Sequence, residues 1–230
     1  MLLISTVIIP YLKNKVNKSS VNIFISVIYS IAFLLLVLVF FFNEEIISVA
    51  SNSNSIHFIK LAANLLLFTC VTGFINSIIQ LTKGILEFNE LFNVQKLIVL
   101  FTNILLVVLL LFLQTDNIYY YTIIIFITTL ISFLFHIFFL RKTNFKFSLS
   151  YDLDDRNFKE MISLFLPIVF STGVYQISLL IDTLIAARLP VGSISTLTYA
   201  NAVISMINLL LLGNITSFVY PKLVKKTDNK

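Results

Sequence analysis

Six long apolar runs dominate the chain, at positions 21–42, 57–80, 92–113, 118–140, 158–187 and 193–220, with a shorter one at 1–12 ahead of them. An α-helix needs about 20 such residues to cross the hydrocarbon core of a bilayer. The runs are continuous rather than alternating at every second residue, which excludes a transmembrane β-barrel. The chain therefore reads as an all-α polytopic membrane protein with six full transmembrane helices plus a partial N-terminal one. Its charge content agrees. Only 12% of the 230 residues are charged, where a soluble domain carries about a quarter.

The separators are short and polar, and their charges test the helix count. If the Lys-rich segment 13–20 is cytoplasmic, the loops alternate from there. Of the 16 basic residues, Lys60 and Arg188 then fall outside and the other fourteen inside, as the positive-inside rule requires. The sequence pI of about 9.3 is thus explained by topology, and nucleic-acid binding is set aside. The opening "MLLISTVIIPYLKNKVNK" is apolar first and basic after, the reverse of a signal peptide. It reads as the last turns of a helix leaving the bilayer, so the chain is expected to start mid-protein. Cys70 is the single cysteine, which rules out an internal disulfide and reads as a small buried hydrophobe.

The helices differ in their polar residues. Runs 21–42 and 118–140 carry few strongly polar groups and are expected to face lipid. In run 158–187, Ser171, Tyr175, Ser178 and Asp182 recur at helical spacing on one stripe. In run 193–220, Thr198, Asn201, Ser205 and Asn208 do the same, after a tight "LPVGS" turn. Thr69, Thr72, Asn76 and Gln80 form a weaker seam in run 57–80, read as helix packing through cross-helix hydrogen bonds. Asp182 stands apart. A carboxylate at bilayer depth costs at least ~2.5 kcal/mol, so it points to a cavity, an ion or a partner. The plainer alternative places it near the outer interface, loosely paired with Lys60 or Arg188.

No enzymatic constellation survives. Asp154 and Asp155 sit beside Lys and Arg in a polar loop, His136 stands alone near an inner helix end and reads as interfacial, and no Ser–His pair has triad spacing. With no second His or Cys at ligand spacing, a transition-metal site is not expected either.

The stretch "FLPIVFSTGVYQISLLIDTLIAARLPVGSISTLTYANAVISM", closed by "YPKLVKK", resembles the seventh and eighth helices of the MurJ (MviN) lipid II flippases. These belong to the multidrug/oligosaccharidyl-lipid/polysaccharide exporter superfamily. The elements that carry the resemblance are Gln176–Ile177, Asp182, the turn from Leu189 to Ser195, the Tyr199–Asn201 triplet and the terminal Tyr220–Leu223. The resemblance implies a two-lobe fold around a central cationic cavity. Residues 1–140 would belong to the N-terminal lobe, 141–157 to a cytoplasmic inter-lobe loop, and 158–230 to the first two helices of the C-terminal lobe with a cytoplasmic tail. The cavity would be lined by Ser171, Tyr175, Gln176, Ser178, Arg188, Thr198, Asn201, Ser205 and Asn208. Asp182 would match a family sodium ligand, so sodium is the one ion implied and no organic cofactor is. The implied partners are a lipid-linked sugar, the membrane lipids and the remainder of the transporter. One departure matters: where the family often continues "YAN" or "YAD" with an arginine that meets pyrophosphate, this chain has Ala202.

The function expected is translocation of a polyprenyl-diphosphate-linked sugar across the cytoplasmic membrane, as in peptidoglycan precursor export. A related polysaccharide flippase or a cation-coupled drug exporter is the transporter alternative, and a truncated, non-transporting membrane fragment the alternative of another class. The topology is directly testable. Cysteines placed at Ser53 and Ser148 should differ in labelling by an impermeant thiol reagent, with Ser53 reached from outside. Equal labelling, or the reverse order, would reject the arrangement.

Overall fold

A computed structural model describes residues 7–8, 11, 18–51, 55–113, 117–143, 145–190 and 192–208. Seven helices are present among them: α1 (Lys18–Phe41), α2 (Asn43–Ser51), α3 (Ile56–Phe88), α4 (Phe92–Phe112), α5 (Ile118–Leu140), α6 (Arg156–Ala186) and α7 (Ser193–Asn208). There is no strand among the described residues. Helices α1, α3, α4, α5 and α6 are each long and apolar enough to span a membrane. α7 begins the sixth run, whose continuation at 209–220 lies outside the described residues, as do most of the partial segment 1–12 and the tail. The chain divides into two compact units, Met1–Thr172 and Gly173–Lys230.

In the first unit α3 is the central member. It packs most extensively on α5 and also touches α1, α2 and α4, while α4 lies against α5. Its N-terminus is set by Ser55, whose hydroxyl accepts from the Phe58 N–H, and α5 is started likewise by Asn117 on Tyr119. Such caps satisfy backbone donors that have no partner inside the helix. α6 starts at Asp155, whose carboxylate accepts from the Phe158 N–H at 2.7 Å. It then runs unbroken through Pro167. Next door, Lys159 donates to Asp154 at 2.9 Å. That hydrogen bond and the ammonium charge lower the Asp154 pKa from its ordinary value. Any stability it adds is present above the usual carboxylate range and fades as pH falls through the lowered one. The pair is exposed, so that contribution is small.

Four sequence expectations are corrected. First, the helix expected at 57–80 continues eight residues to Phe88, because Leu81, Thr82, Gly84, Ile85 and Leu86 are buried and outweigh the breaking tendency of one glycine. It ends where Glu90 adopts φ 61°. Leu91 N–H then donates to the Leu86 carbonyl at 2.9 Å and Glu90 N–H to that of Glu87 at 3.0 Å, closing a Schellman motif on a residue with a Cβ. Second, the separator after α1 is itself largely helical: α2 opens with Glu44 and Glu45 in its first turn, where acidic groups favour the helix dipole. Third, α1 does not simply face lipid. Val21, Ile23, Phe24 and Ile25 are almost fully buried, with Ser20, Asn22 and Ser26 among them. Fourth, His136 is fully buried rather than interfacial. One ring nitrogen, Nδ1, lies 2.8 Å from the Ser132 carbonyl, and Nε2 has no hydrogen-bond partner among the described residues.

The core of this unit gathers at one end of the helices. Val21, Phe24 and Ile25 of α1 meet Leu81 and Ile85 of α3 and Phe158 and Met161 of α6, with Leu140 and Phe145 packed alongside. Phe24 and Phe165 pack edge to face, centroids 5.3 Å apart. The polar groups of α1 hold the segment that links α5 to α6. Asn22 Nδ2 donates to Ser148 Oγ at 2.9 Å and to the Lys146 carbonyl at 3.4 Å. Ser26 Oγ accepts from the Ser150 N–H at 3.2 Å, and the Ser30 and Tyr151 hydroxyls lie 2.9 Å apart. Asn22, Ser26 and Ser30 recur every fourth residue, so one face of α1 serves a segment with no regular structure of its own. Removing a buried hydrogen-bonding partner costs about 1 kcal/mol or more. Asn22→Ala should therefore release residues 145–151 to limited proteolysis. Ser30→Ala, which loses an exposed contact, should change cleavage far less.

Candidate functional site

The candidate site lies in the second unit, on the hairpin of α6 and α7. α6 ends at Ala186, and the chain turns back through Leu189, Pro190 and Gly192. Ser193 N–H donates to the Pro190 carbonyl at 3.1 Å and Thr196 N–H to that of Gly192 at 3.0 Å, which starts α7. Gly192 has φ 100°, a conformation a residue with a Cβ adopts only under strain. Between the helices is an open groove of about 640 Å³, lined by Asp182, Ile185, Ala186, Leu189, Gly192, Ser193, Thr196, Leu197 and Ala200.

Asp182 is in this groove, and no hydrogen bond or ion pair reaches its carboxylate among the described residues. The other members of its stripe follow the helix period. Tyr175 and Ser178 fall within roughly 40° of it about the α6 axis, and Ser171 one turn earlier is on the same side. All are exposed, Tyr175 by 59%. Gln176 is exposed but roughly 120° away from that stripe. Arg188 is exposed outside the lining, and its backbone N–H donates to the Ile185 carbonyl.

On α7 the anticipated seam and the observed lining diverge. Ser193, Thr196, Leu197 and Ala200 form the groove face. Thr198, Asn201, Ser205 and Asn208 share a second face, roughly 100° around the helix. Of these Asn201 is half-buried and the rest exposed. Thr198 Oγ1 donates to the Ile194 carbonyl of its own helix at 2.8 Å. Thr196 Oγ1 does likewise to Gly192 at 3.2 Å. Each hydroxyl keeps lone pairs to offer once its proton is so engaged. The groove lining had a signal of its own that went unused: positions 193, 196 and 200 also keep helical spacing. The weaker seam on α3 does not bridge helices. Thr69 and Thr72 donate to carbonyls four residues back, Thr72 is buried, and Asn76 and Gln80 are exposed.

In donor chemistry the groove brings a carboxylate and two hydroxyl side chains to an otherwise apolar wall. Oxygen-only donors suit a hard cation. Among the described residues no three His, Cys, Asp or Glu side chains gather as a metal cluster would require. Cys70 is a free, half-buried thiol.

Five apolar spans define a multi-pass protein of the cell membrane, and Asp182 places a carboxylate in an open groove near the end of the last of them. The family model for the lipid II flippase MurJ matches residues 3–230, and the chain belongs to that family. A relative from Haemophilus influenzae, described as a probable lipid II flippase MurJ, is 30% identical over 105 residues. That alignment covers 46% of this chain and 21% of the relative, so the chain spans about a fifth of the curated protein it matches. No solved structure matches it.

The turn that shapes the groove can be tested without touching its polar groups. A Cβ at Gly192 meets no atom within 4 Å, so the cost of Gly192→Ala is backbone strain of about 1–2 kcal/mol. The variant should lower the Tm of the purified protein in detergent, and Gly192→Asn should lower it less, because asparagine tolerates positive φ better.

Proposed function

We propose that the protein moves a polyprenyl-diphosphate-linked sugar of the lipid II type across the cell membrane, with the α6–α7 hairpin presenting part of the surface that meets substrate and ion. It acts as a transporter, not an enzyme. The observation that carries the reading is Asp182: a carboxylate on an apolar helix, in a groove, with no ion pair among the described residues, within a chain that belongs to a flippase family. Alternating access between inward and outward states accounts for transport without chemistry on the substrate, and a bound cation that prefers one state biases the exchange.

Sodium is the cation proposed. Asp182 would hold it, with Ser193 and Thr196, which line the same groove, as candidate oxygen donors. The ion would neutralise a charge that is otherwise expensive at bilayer depth. The stripe of Ser171, Tyr175 and Ser178 would continue the polar path along α6, and Thr198, Asn201, Ser205 and Asn208 would face substrate or neighbouring helices from α7. Ala202 favours a second reading. Without a cation at that place, the hairpin supplies less charge for a pyrophosphate, which suits a related polysaccharide flippase with a different headgroup.

The test replaces Asp182 with Asn in a flippase whose remaining family helices come from a relative. Asn keeps the shape and removes the charge. Sodium-dependent stabilisation and transport of the lipid-linked sugar should both drop by tenfold or more, about 1.4 kcal/mol in coupling. A surface aspartate would tolerate the change within about 0.5 kcal/mol. An undiminished sodium response in the Asn variant assigns Asp182 a structural role and removes ion coupling from the proposal.

A further inference from the structure

Away from the hairpin, the first unit carries a separate concavity on its outer wall. Val94, Leu97, Ile98 and Phe101 of α4 and Phe135 and Phe139 of α5 enclose about 250 Å³. The lining is carbon almost throughout. α4 and α5 pack side by side, and Phe101 meets Phe135 edge to face at 5.5 Å, which marks the deep end. The other end is marked by Phe139, whose ring lies beneath the ammonium of Lys142 at 4.9 Å from the centroid. One side chain thus both lines the groove and holds a cation at its mouth.

That cation is uncommitted. Lys142 and its neighbour Arg141 are exposed, and the ion pair found among the described residues joins Lys159 to Asp154 instead. Contact with an aromatic face steadies an ammonium without neutralising it, so its N–H groups remain available to an anion. The groove runs from Val94 to Phe101, about 10 Å along α4. That is less than the ~15 Å hydrocarbon depth of a single leaflet. It is too short for a second transmembrane helix and suited to one hydrocarbon chain entering from the Lys142 side. Leu97 on its rim is 63% exposed, so the groove is open along its length.

We propose that this groove binds one anionic phospholipid, its acyl chain along α4 and α5 and its phosphate at Lys142, with Arg141 beside it. Charge complementarity selects the anionic headgroup. Lys142 stands at the mouth with the exposed Arg141 next to it in the chain, and a zwitterionic lipid would bring an ammonium of its own against them. This site is independent of the groove at Asp182 and of the flippase reading. It rests on the membrane location and on the geometry of α4 and α5.

The experiment is native mass spectrometry of the detergent-purified chain, titrated with dioleoyl phosphatidylglycerol or dioleoyl phosphatidylcholine. The wild type should retain the glycerol lipid over the choline lipid by about fivefold for each cation engaged. Lys142→Gln combined with Arg141→Gln should bring the ratio close to one, while Lys142→Arg should keep it. Leu97→Trp, which fills the groove, should weaken retention of both lipids, and free glycerol phosphate should displace neither. Helix content by circular dichroism should be unchanged in all variants, since Lys142, Arg141 and Leu97 are exposed. Equal retention of the two lipids by the wild type would overturn the proposal. So would a preference that survives the double glutamine variant, or displacement by glycerol phosphate alone.

Discussion

An extended segment with backbone groups to satisfy is the constraint around which the first unit is assembled. Residues 145–151 have no helix to pair their own N–H and C=O groups, and most of them are exposed, so their backbone is served by side chains of the fold and by water. α1 holds the segment with Asn22, Ser26 and Ser30 on one face: two of the bonds reach backbone groups, the Lys146 carbonyl and the Ser150 N–H, and two reach the hydroxyls of Ser148 and Tyr151. Because the segment is held there, Phe145 at its start and Phe158 and Met161 after it come to the same end as Leu81 and Ile85 of α3. The polar stitching and the apolar cluster are thus one feature. The hydroxyls and the amide set the register, and the aromatic and aliphatic groups fill the space that results.

The location of that cluster has an energetic reason. Within lipid, apolar side chains gain little by leaving hydrocarbon for one another, so helices associate there through close packing and hydrogen bonds. The spanning windows of the five long helices are accordingly only 0–22% buried. At the end of α3, which at 33 residues is about 50 Å long and overshoots a ~30 Å hydrocarbon core, water is the competing environment. Burying Leu81, Ile85 and Leu86 there removes apolar surface from water and carries the ordinary hydrophobic gain of roughly 25 cal/mol per Å². The extension of α3 to Phe88 is where the unit can use that gain.

Helix class and most starts of the long helices were legible because apolar runs of bilayer length leave little choice. The elements that were misread lie beyond the runs. Positions 81–88 contain Lys83, Gly84 and Glu87 and look like a loop, yet every third or fourth residue is apolar and faces a neighbour that only the fold brings near. α2 is short and mixed, and its acidic first turn was its sole local signal. The face of α1 was readable in principle from the spacing of Asn22, Ser26 and Ser30, but serine and asparagine in an otherwise oily helix carry no mark of what they bind. His136 looked interfacial by its position near a helix end. It is fully buried on α5, the helix that packs most extensively on α3.

The site was half legible for a related reason. Asp182 declared itself through cost: no neutral packing role explains a carboxylate on an apolar helix. The α7 seam could not, because amides and hydroxyls at helical spacing are as common in packing as in binding, and two faces of that helix satisfy the pattern. The structure separates them, since Ser193 and Thr196 share the groove with Asp182 and the Thr198 to Asn208 face does not. The carboxylate then has a definite need. Arg188 lies outside the groove lining, and among the described residues no basic side chain lines the groove beside Asp182. Water can hydrate an exposed carboxylate at the membrane edge, but an apolar wall of Ile185, Ala186, Leu189 and Leu197 favours a ligand that neutralises the charge and keeps its own coordination to oxygen. The sodium ion proposed above, shared among Asp182, Ser193 and Thr196, would meet both demands with groups that line one groove of this hairpin.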